Sequence, residues 1–288
     1  MKYFSAFTVL CLSATFAFAQ SSKTDDYHLD KEFKMSPTGT LSLSSADAKV
    51  TIVGSARTTA HVKIDKEVQT KGIVFSNREF EVEVTERDGN LSVQEKSSGS
   101  VAMMGYHYEK YTILIELPEG ASITVRGDDG DYNIKHVNGS IDMSVDDGDI
   151  SISNCAGNQF RFQMDDGDLI MEGGSGSLDI DGDDADVEIK NSNFENIVAD
   201  IDDGDLIIET SLTNSGNYRI DSQDGLVSLA ITQGGGQFNI RHDDGHVTSL
   251  GKFEIMEESE DFTRLKLAAG SAQVNIRADD ARVKLAAR

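Results

Sequence analysis

The sequence predicts a single all-β domain wound as a parallel β-helix (β-solenoid) with coils of about 18–21 residues. Three observations carry this: an acidic phrase recurs at near-constant spacing, apolar residues hold fixed columns around each copy, and the composition favours turns over helices. The phrase reads DDGD at 128, 146, 165 and 202 and DDAD at 183; its second residue falls at 129, 147, 166, 184, 203, 224, 244 and 280. The steps are 18, 19, 18, 19, 21, 20 and 36, the last equal to two steps of 18. Such a period marks a repeat architecture. A degenerate copy over 261–264 would fill the long step, with Leu265 and Leu267 following it in register. Gly occurs 26 times, Pro twice and Trp never.

From the N-terminus, residues 1–19 read as a secretory signal peptide. Lys2 supplies the positive start, an apolar run follows, and Ala17-Phe18-Ala19 forms a cleavage site before Gln20. The run is too short for a transmembrane anchor. Residues 20–34 read as a flexible lead-in and 35–288 as the repeat domain. Leu41, Leu43, Val50 and Ile52 fill the first four columns, and Val82, Val84, Leu91 and Val93 the next, around Asp88-Gly89. Residues 97–105 read as a protruding loop. Thereafter each copy has two apolar residues before the phrase (Ile141 and Met143, Phe160 and Phe162) and two after it (Ile150 and Ile152, Leu169 and Met171). Each unit is two short strands of period-2 alternation joined by an acidic turn.

Two architectures satisfy this pattern. An antiparallel β-hairpin repeat would use each Asp-Gly as a two-residue turn, leaving one apolar face that needs another sheet. A parallel β-helix buries its apolar columns inside every coil and stacks like on like. The matching columns favour the helix, with about thirteen coils at ~4.8 Å making a rod of roughly 60 Å.

The segments TLSLSSADAKVTIVG and YTILIELPEGASITVRGDDGDYNI, followed by successive DDGD units, resemble the bacterial β-strand-repeat putative adhesin family over residues 35–288. The resemblance implies a right-handed β-helix and an exported, adhesin-like protein of unknown activity. It brings no catalytic residues.

The phrase needs its own account. Asp before Gly makes an Asx-turn, and Gly130, Gly148, Gly167, Gly204, Gly225 and Gly245 are expected to supply positive φ. That leaves the outer acids unexplained. Two carboxylates one strand apart repel by about 0.9 kcal/mol in water and about 3.5 kcal/mol at an effective dielectric of 20. A ladder of Asp128, Asp129, Asp131, Asp146, Asp147, Asp149, Asp165, Asp166, Asp168, Asp183, Asp184, Asp186, Asp202, Asp203 and Asp205 therefore either splays into solvent as ordinary turns or is neutralised by cations, and calcium is the candidate because it takes oxygen-only ligands. Neither the nonapeptide calcium roll nor the EF-hand spacing is present. Asp165 and Asp168 could act as acid and base in a β-helix polysaccharide enzyme. A catalytic site is a break in a repeat, however, whereas these acids recur. His242 and His246 flank a variant turn as candidate transition-metal ligands, set against ordinary surface histidines.

The formal charge of −24 becomes −25 when Lys2 leaves, which disfavours nucleic acid and anionic lipid. Cys155 is then the single cysteine, so no intrachain disulfide forms. The reading is a non-enzymatic, exported protein (periplasmic, outer-surface or extracellular) that presents a repeated acidic surface to an envelope or surface partner, protein or glycan. The alternatives are a polysaccharide-active enzyme and a periplasmic scaffold.

Overall fold

Alternation along each strand sends every second side chain into one interior, and the chain builds two facing walls around it. This computed structural model describes residues 26–76, 79–98, 101–243, 245–268 and 270–288; the expected leader lies outside them. One wall holds the strands before each acidic phrase and the other the strands after it. Ile141 pairs in parallel with Ile123 on one side and Phe160 on the other. Beyond the turn, Ile150 pairs with Tyr132 and Leu169. All-β structure, a mostly parallel sheet and like-on-like columns follow as read from the sequence; repeated hairpins do not.

The inward residues form one continuous core, with Phe160, Phe162, Tyr218 and Phe238 fully buried. Volumes interlock between the walls. Tyr132 fits because Gly127 faces it, where a Cβ would lie 1.8 Å from the phenol oxygen. Cys155 is buried, its Sγ accepting from the Val137 amide at 3.5 Å, so it belongs to the core.

The order of the coils departs from the order of the chain at both ends. In the middle, coils 122–135, 141–153, 159–172, 177–190, 196–211 and 217–233 follow one another. Coil 272–287 then lies between coil 217–233 and coil 236–250: Val274 pairs with Tyr218 and Phe238, and Val283 with Val227 and Val247. At the other end coil 40–55 lies between coil 122–135 and the strands 90–98 and 112–118. Each terminal segment is thus held inside the stack by a coil that precedes or follows it.

Antiparallel strands close both walls at one end and the first wall at the other, where Val247–Leu250 ends the second wall as a parallel edge, and this corrects several expectations. Phe262–Leu267 runs antiparallel to Gly236–His242 and to Phe253–Glu258, so Leu265 and Leu267 are buried in a cap and not in a degenerate coil. Asp88 and Gly89 both have positive φ (52° and 78°) and join Glu79–Arg87 to Asn90–Ser98 as a true hairpin. Within Thr59–Ser76, the residues from His61 to Ser76 pair with Val101–Glu116, and beyond Lys66 the two strands make an arm that takes up residues 101–105 of the loop expected at 97–105; 99 and 100 lie outside the described residues. Within the lead-in expected at 20–34, Tyr27–Lys34 is a strand on Thr59–Ser76, with Leu29 and Phe33 packed on the core. The expected stack is therefore shorter in coils than the period implied, and antiparallel caps take up the rest of the chain. The edge strands carry acids (Glu81 and Glu83 at one end; Glu254, Glu257 and Glu258 at the other), which discourages edge-to-edge pairing.

Candidate functional site: the acidic ridge

The acidic turns stack because the strands on either side of them are in register. Asp147, Asp166 and Asp184 are consecutive cross-coil partners, and Asp168 pairs with Asp186. Backbone bonds knit the turns together, including Asp147 N to Asp128 O at 2.9 Å and Asp129 N to Ala46 O at 3.1 Å. The fifteen sequence-predicted acids therefore form one ridge along an edge of the solenoid, all of them exposed except half-buried Asp205.

The glycines serve a purpose the sequence reading missed. Gly167, Gly204 and Gly225 do take positive φ, but Gly130 and Gly148 do not. They are needed because successive turns touch backbone to backbone. A Cβ on Gly148 would sit 2.1 Å from Gly130 O, and one on Gly225 2.1 Å from Gly204 O.

The last acid of the phrase has a local role. Asp149 Oδ1 accepts from the Asp168 amide at 3.2 Å, and Asp186 Oδ1 from the Asp205 amide at 2.8 Å. Each carboxylate caps the same position of the next coil, a charge-assisted bond that recurs wherever geometry allows. Asp131 pairs with Lys49 at 3.8 Å, and Asp202 Oδ1 accepts from Gln223 Nε2 at 2.5 Å. Repulsion remains elsewhere. Asp147 is held above the usual carboxylate range by desolvation and then by Asp166 and Asp129; Asp168 is raised by desolvation, Asp149 and Asp186.

The acids line up without converging. Among the described residues no group of three or more His, Cys, Asp or Glu side chains is placed to hold a metal ion. His242 Nε2 lies 3.2 Å from Thr263 Oγ1; Asp244, one of the carboxylates expected beside it, lies outside the described residues. Asp165 and Asp168 occupy the same places as their counterparts in neighbouring coils and share no feature that singles them out. Among the described residues no helix is long and apolar enough to cross a membrane.

The outer face of the first wall carries residues that looked scattered in sequence. Beside the ridge a shallow concavity is lined by Arg126, Asp128, Asp142, Asp146, Arg161 and Asp179, with Arg161 paired to Asp179 at 2.9 Å. Arg219, Arg241, Arg264 and Arg277 gather at the other end of that face.

Two walls of stacked parallel strands bearing a repeated turn define a β-solenoid protein with a periodic surface. The chain belongs to the Toastrack DUF4097 family, whose model matches residues 38–286. It is similar in structure to a putative adhesin from Bacteroides fragilis NCTC 9343, at 14% identity, 90% coverage of this chain, 97% of that chain and a TM-score of 0.51. A putative cell adhesion protein from Clostridium sporogenes ATCC 15579 matches at 13% identity, covering 91% and 100% of the two chains, with a TM-score of 0.30. A putative lipid binding protein from Parabacteroides distasonis ATCC 8503 matches at 13% identity, covering 90% and 96%, with a TM-score of 0.36. At these identities the likeness concerns the fold alone, and of these three the Bacteroides protein alone has a TM-score above 0.5. No curated protein matches the chain.

Proposed function

We propose that this chain is a non-enzymatic, exported, right-handed β-solenoid that uses its acidic ridge as a multivalent binding or adhesion surface. The observation that carries the reading is the register of Asp147, Asp166 and Asp184 on successive coils. A catalytic constellation is singular, whereas this surface offers the same group at every strand spacing and gains by avidity when a partner spans several rungs. The name of the Bacteroides neighbour, a putative adhesin, agrees with such a role. The ridge is suited to a basic partner surface and is closed to nucleic acid by its charge.

Cations belong to this picture as counterions. The acids are strung along an edge, and Asp149 and Asp186 already commit an oxygen to a backbone amide. Calcium needs six to eight oxygens around one point. We therefore expect calcium and magnesium at equal ionic strength to raise the melting temperature equally, through screening. A larger rise in calcium that disappears when Asp146, Asp149, Asp165 and Asp168 are together changed to Asn would establish coordinated calcium instead.

Binding of a decalysine peptide to the purified protein tests the ridge. Affinity should fall in steps as Asp147, Asp166 and Asp184 are changed to Asn one after another, and should weaken with salt. Depolymerisation of acidic or neutral glycans that is abolished by one substitution among Asp165, Asp168, Asp202 or Asp205 would establish the enzyme reading.

A further inference from the structure

The coil order that places 272–287 between 217–233 and 236–250 also assembles a site that no stretch of sequence contains. On the outer face of the first wall, one cross-strand row reads Arg219, Asn275, Asn239 and Arg264. The neighbouring row reads Asp221, Arg277, Arg241 and Phe262. Together they line a shallow groove of about 550 Å³ that crosses four strands.

We propose that this groove binds a carboxylated glycan chain, its acid groups held by Arg241 and Arg277. Three features carry this. First, Arg241 and Arg277 are direct partners on adjacent parallel strands; Asp279 answers Arg277, while Arg241, which shares a cavity with Asp243, Asp261 and Asp279, keeps the guanidinium of the pair that is open to an incoming carboxylate. Arg219, Arg264 and Arg277 each have an acidic partner (Asp221 at 2.7 Å, Glu257 at 2.7 Å, Asp279 at 3.3 Å), while among the described residues no acidic side chain pairs with Arg241. Each paired guanidinium still has free N–H donors, since the fork carries five.

Second, the amides are ordered. Asn239 Nδ2 donates to Asn275 Oδ1 at 3.1 Å, and Asn239 Oδ1 accepts from Arg264 Nε at 3.2 Å. A row of fixed amides beside arginines suits hydroxyl groups flanking a carboxylate. Third, the Phe262 ring lies at the groove's edge with the Arg264 guanidinium 5.1 Å from its centre. It offers an apolar platform to a sugar face, while the arginines provide bidentate recognition of a planar carboxylate. The groove is open along the sheet, as an extended polymer requires. It adjoins the later acidic turns at Asp243 and Asp279 but uses none of the fifteen ridge acids, so the two readings stand or fall separately.

The test uses the purified full-length mature protein and sodium polygalacturonate, with dextran and polyphosphate as controls, by affinity electrophoresis and titration calorimetry at physiological salt. Retardation by polygalacturonate alone is expected. R241Q/R277Q should weaken it at least tenfold with an unchanged melting temperature, and R241K/R277K, which keeps charge but loses the fork, at least threefold. Arg126→Gln, at the far end of the same wall, and the fourfold ridge variant should bind like wild type. The proposal is overturned by absence of retardation, by equal retardation in dextran or polyphosphate, or by unchanged binding in both double variants. It is overturned equally if sedimentation shows wild-type self-association that R241Q/R277Q abolishes, since a second copy would then occupy the groove.

Discussion

Changing Gly148 to Ala separates two explanations of the repeated glycine. If Gly148 served only backbone freedom, alanine would be neutral or stabilising by about 0.4–1 kcal/mol, because its φ is not positive. The stacked geometry predicts the opposite. The new Cβ would lie 2.1 Å from Gly130 O, and contacts below 3.0 Å are essentially never seen, so the turns must separate by about 0.9 Å. The adjoining Asp147 N to Asp128 O bond would stretch from 2.9 Å to about 3.8 Å and be lost. Overpacking costs about 1–3 kcal/mol and an unmade bond about 1 kcal/mol more, giving a destabilisation of about 2–4 kcal/mol. At roughly 2–4 °C per kcal/mol for a domain of this size, thermal unfolding should shift down by about 4–16 °C. Gly173 is the matched control, with φ of +91° and no atom within 4 Å of the place a Cβ would take. Its change to Ala should cost about 1–2 kcal/mol by conformation alone, and Gly173→Asn less. Urea and thermal melts of the three variants decide the matter. A Gly148→Ala protein within about 0.5 kcal/mol of wild type would refute the backbone-contact account.

Other consequences are equally direct. Phe162 is fully buried between the walls, so Phe162→Ala should cost about 3–5 kcal/mol, while half-buried Ser151→Ala should change the melt little. Removing residues 271–288 strips both Asn217–Ser222 and Gly236–His242 of their shared neighbour; hydrogen exchange should show loss of protection from 217 onward, and wild-type protection would refute the inserted-coil arrangement. His61 joins Asp30 at 2.8 Å and Glu116 at 3.2 Å, and these acids raise its pKa in that order of importance. A raised folded value means the His61 contribution is complete below about 6.5 and is lost as pH rises through the folded value. Amide protection in Tyr27–Lys34, corrected for intrinsic exchange, should therefore fall between slightly acidic and slightly alkaline pH, and His61→Ala should flatten the profile; unchanged protection in the wild type would contradict it.

The stacking mechanism also explains why the ends are built as they are. A coil whose outer edge is unpaired would template association, and the chain answers with antiparallel, acid-bearing strands on both walls at one end and on the first wall at the other, leaving only the four-residue edge Val247–Leu250 among the described residues. At the base of the arm Lys66 is buried, its Nζ 2.5 Å from Glu109 and 3.8 Å from the centre of the Phe80 ring. A buried cation with an ion pair and an aromatic face has its charge answered locally.

The sequence by itself determined the all-β class, the period and the contents of the core, because burial acts on each residue through its alternation and needs no knowledge of partners. The columns Ile141–Phe160 and Ile150–Leu169 were legible for that reason, as was the clustering of the acids on one edge. Which coil neighbours which was not legible at the ends. Coils present nearly equivalent apolar columns, so coil 272–287 could stack on any of them with similar burial, and only tertiary structure placed it against 217–233. The two uses of Asp-Gly were likewise decided in three dimensions. At Asp88-Gly89 both residues turn left-handed and the chain reverses, whereas at Asp147-Gly148 a coil beneath fills the space a reversal would need. The arginine groove depends on the same choice: Arg277 meets Arg241 only because the last coil enters the stack before the one that precedes it in the chain, and that order is set by inter-coil hydrogen bonds, which carry no mark in the local sequence.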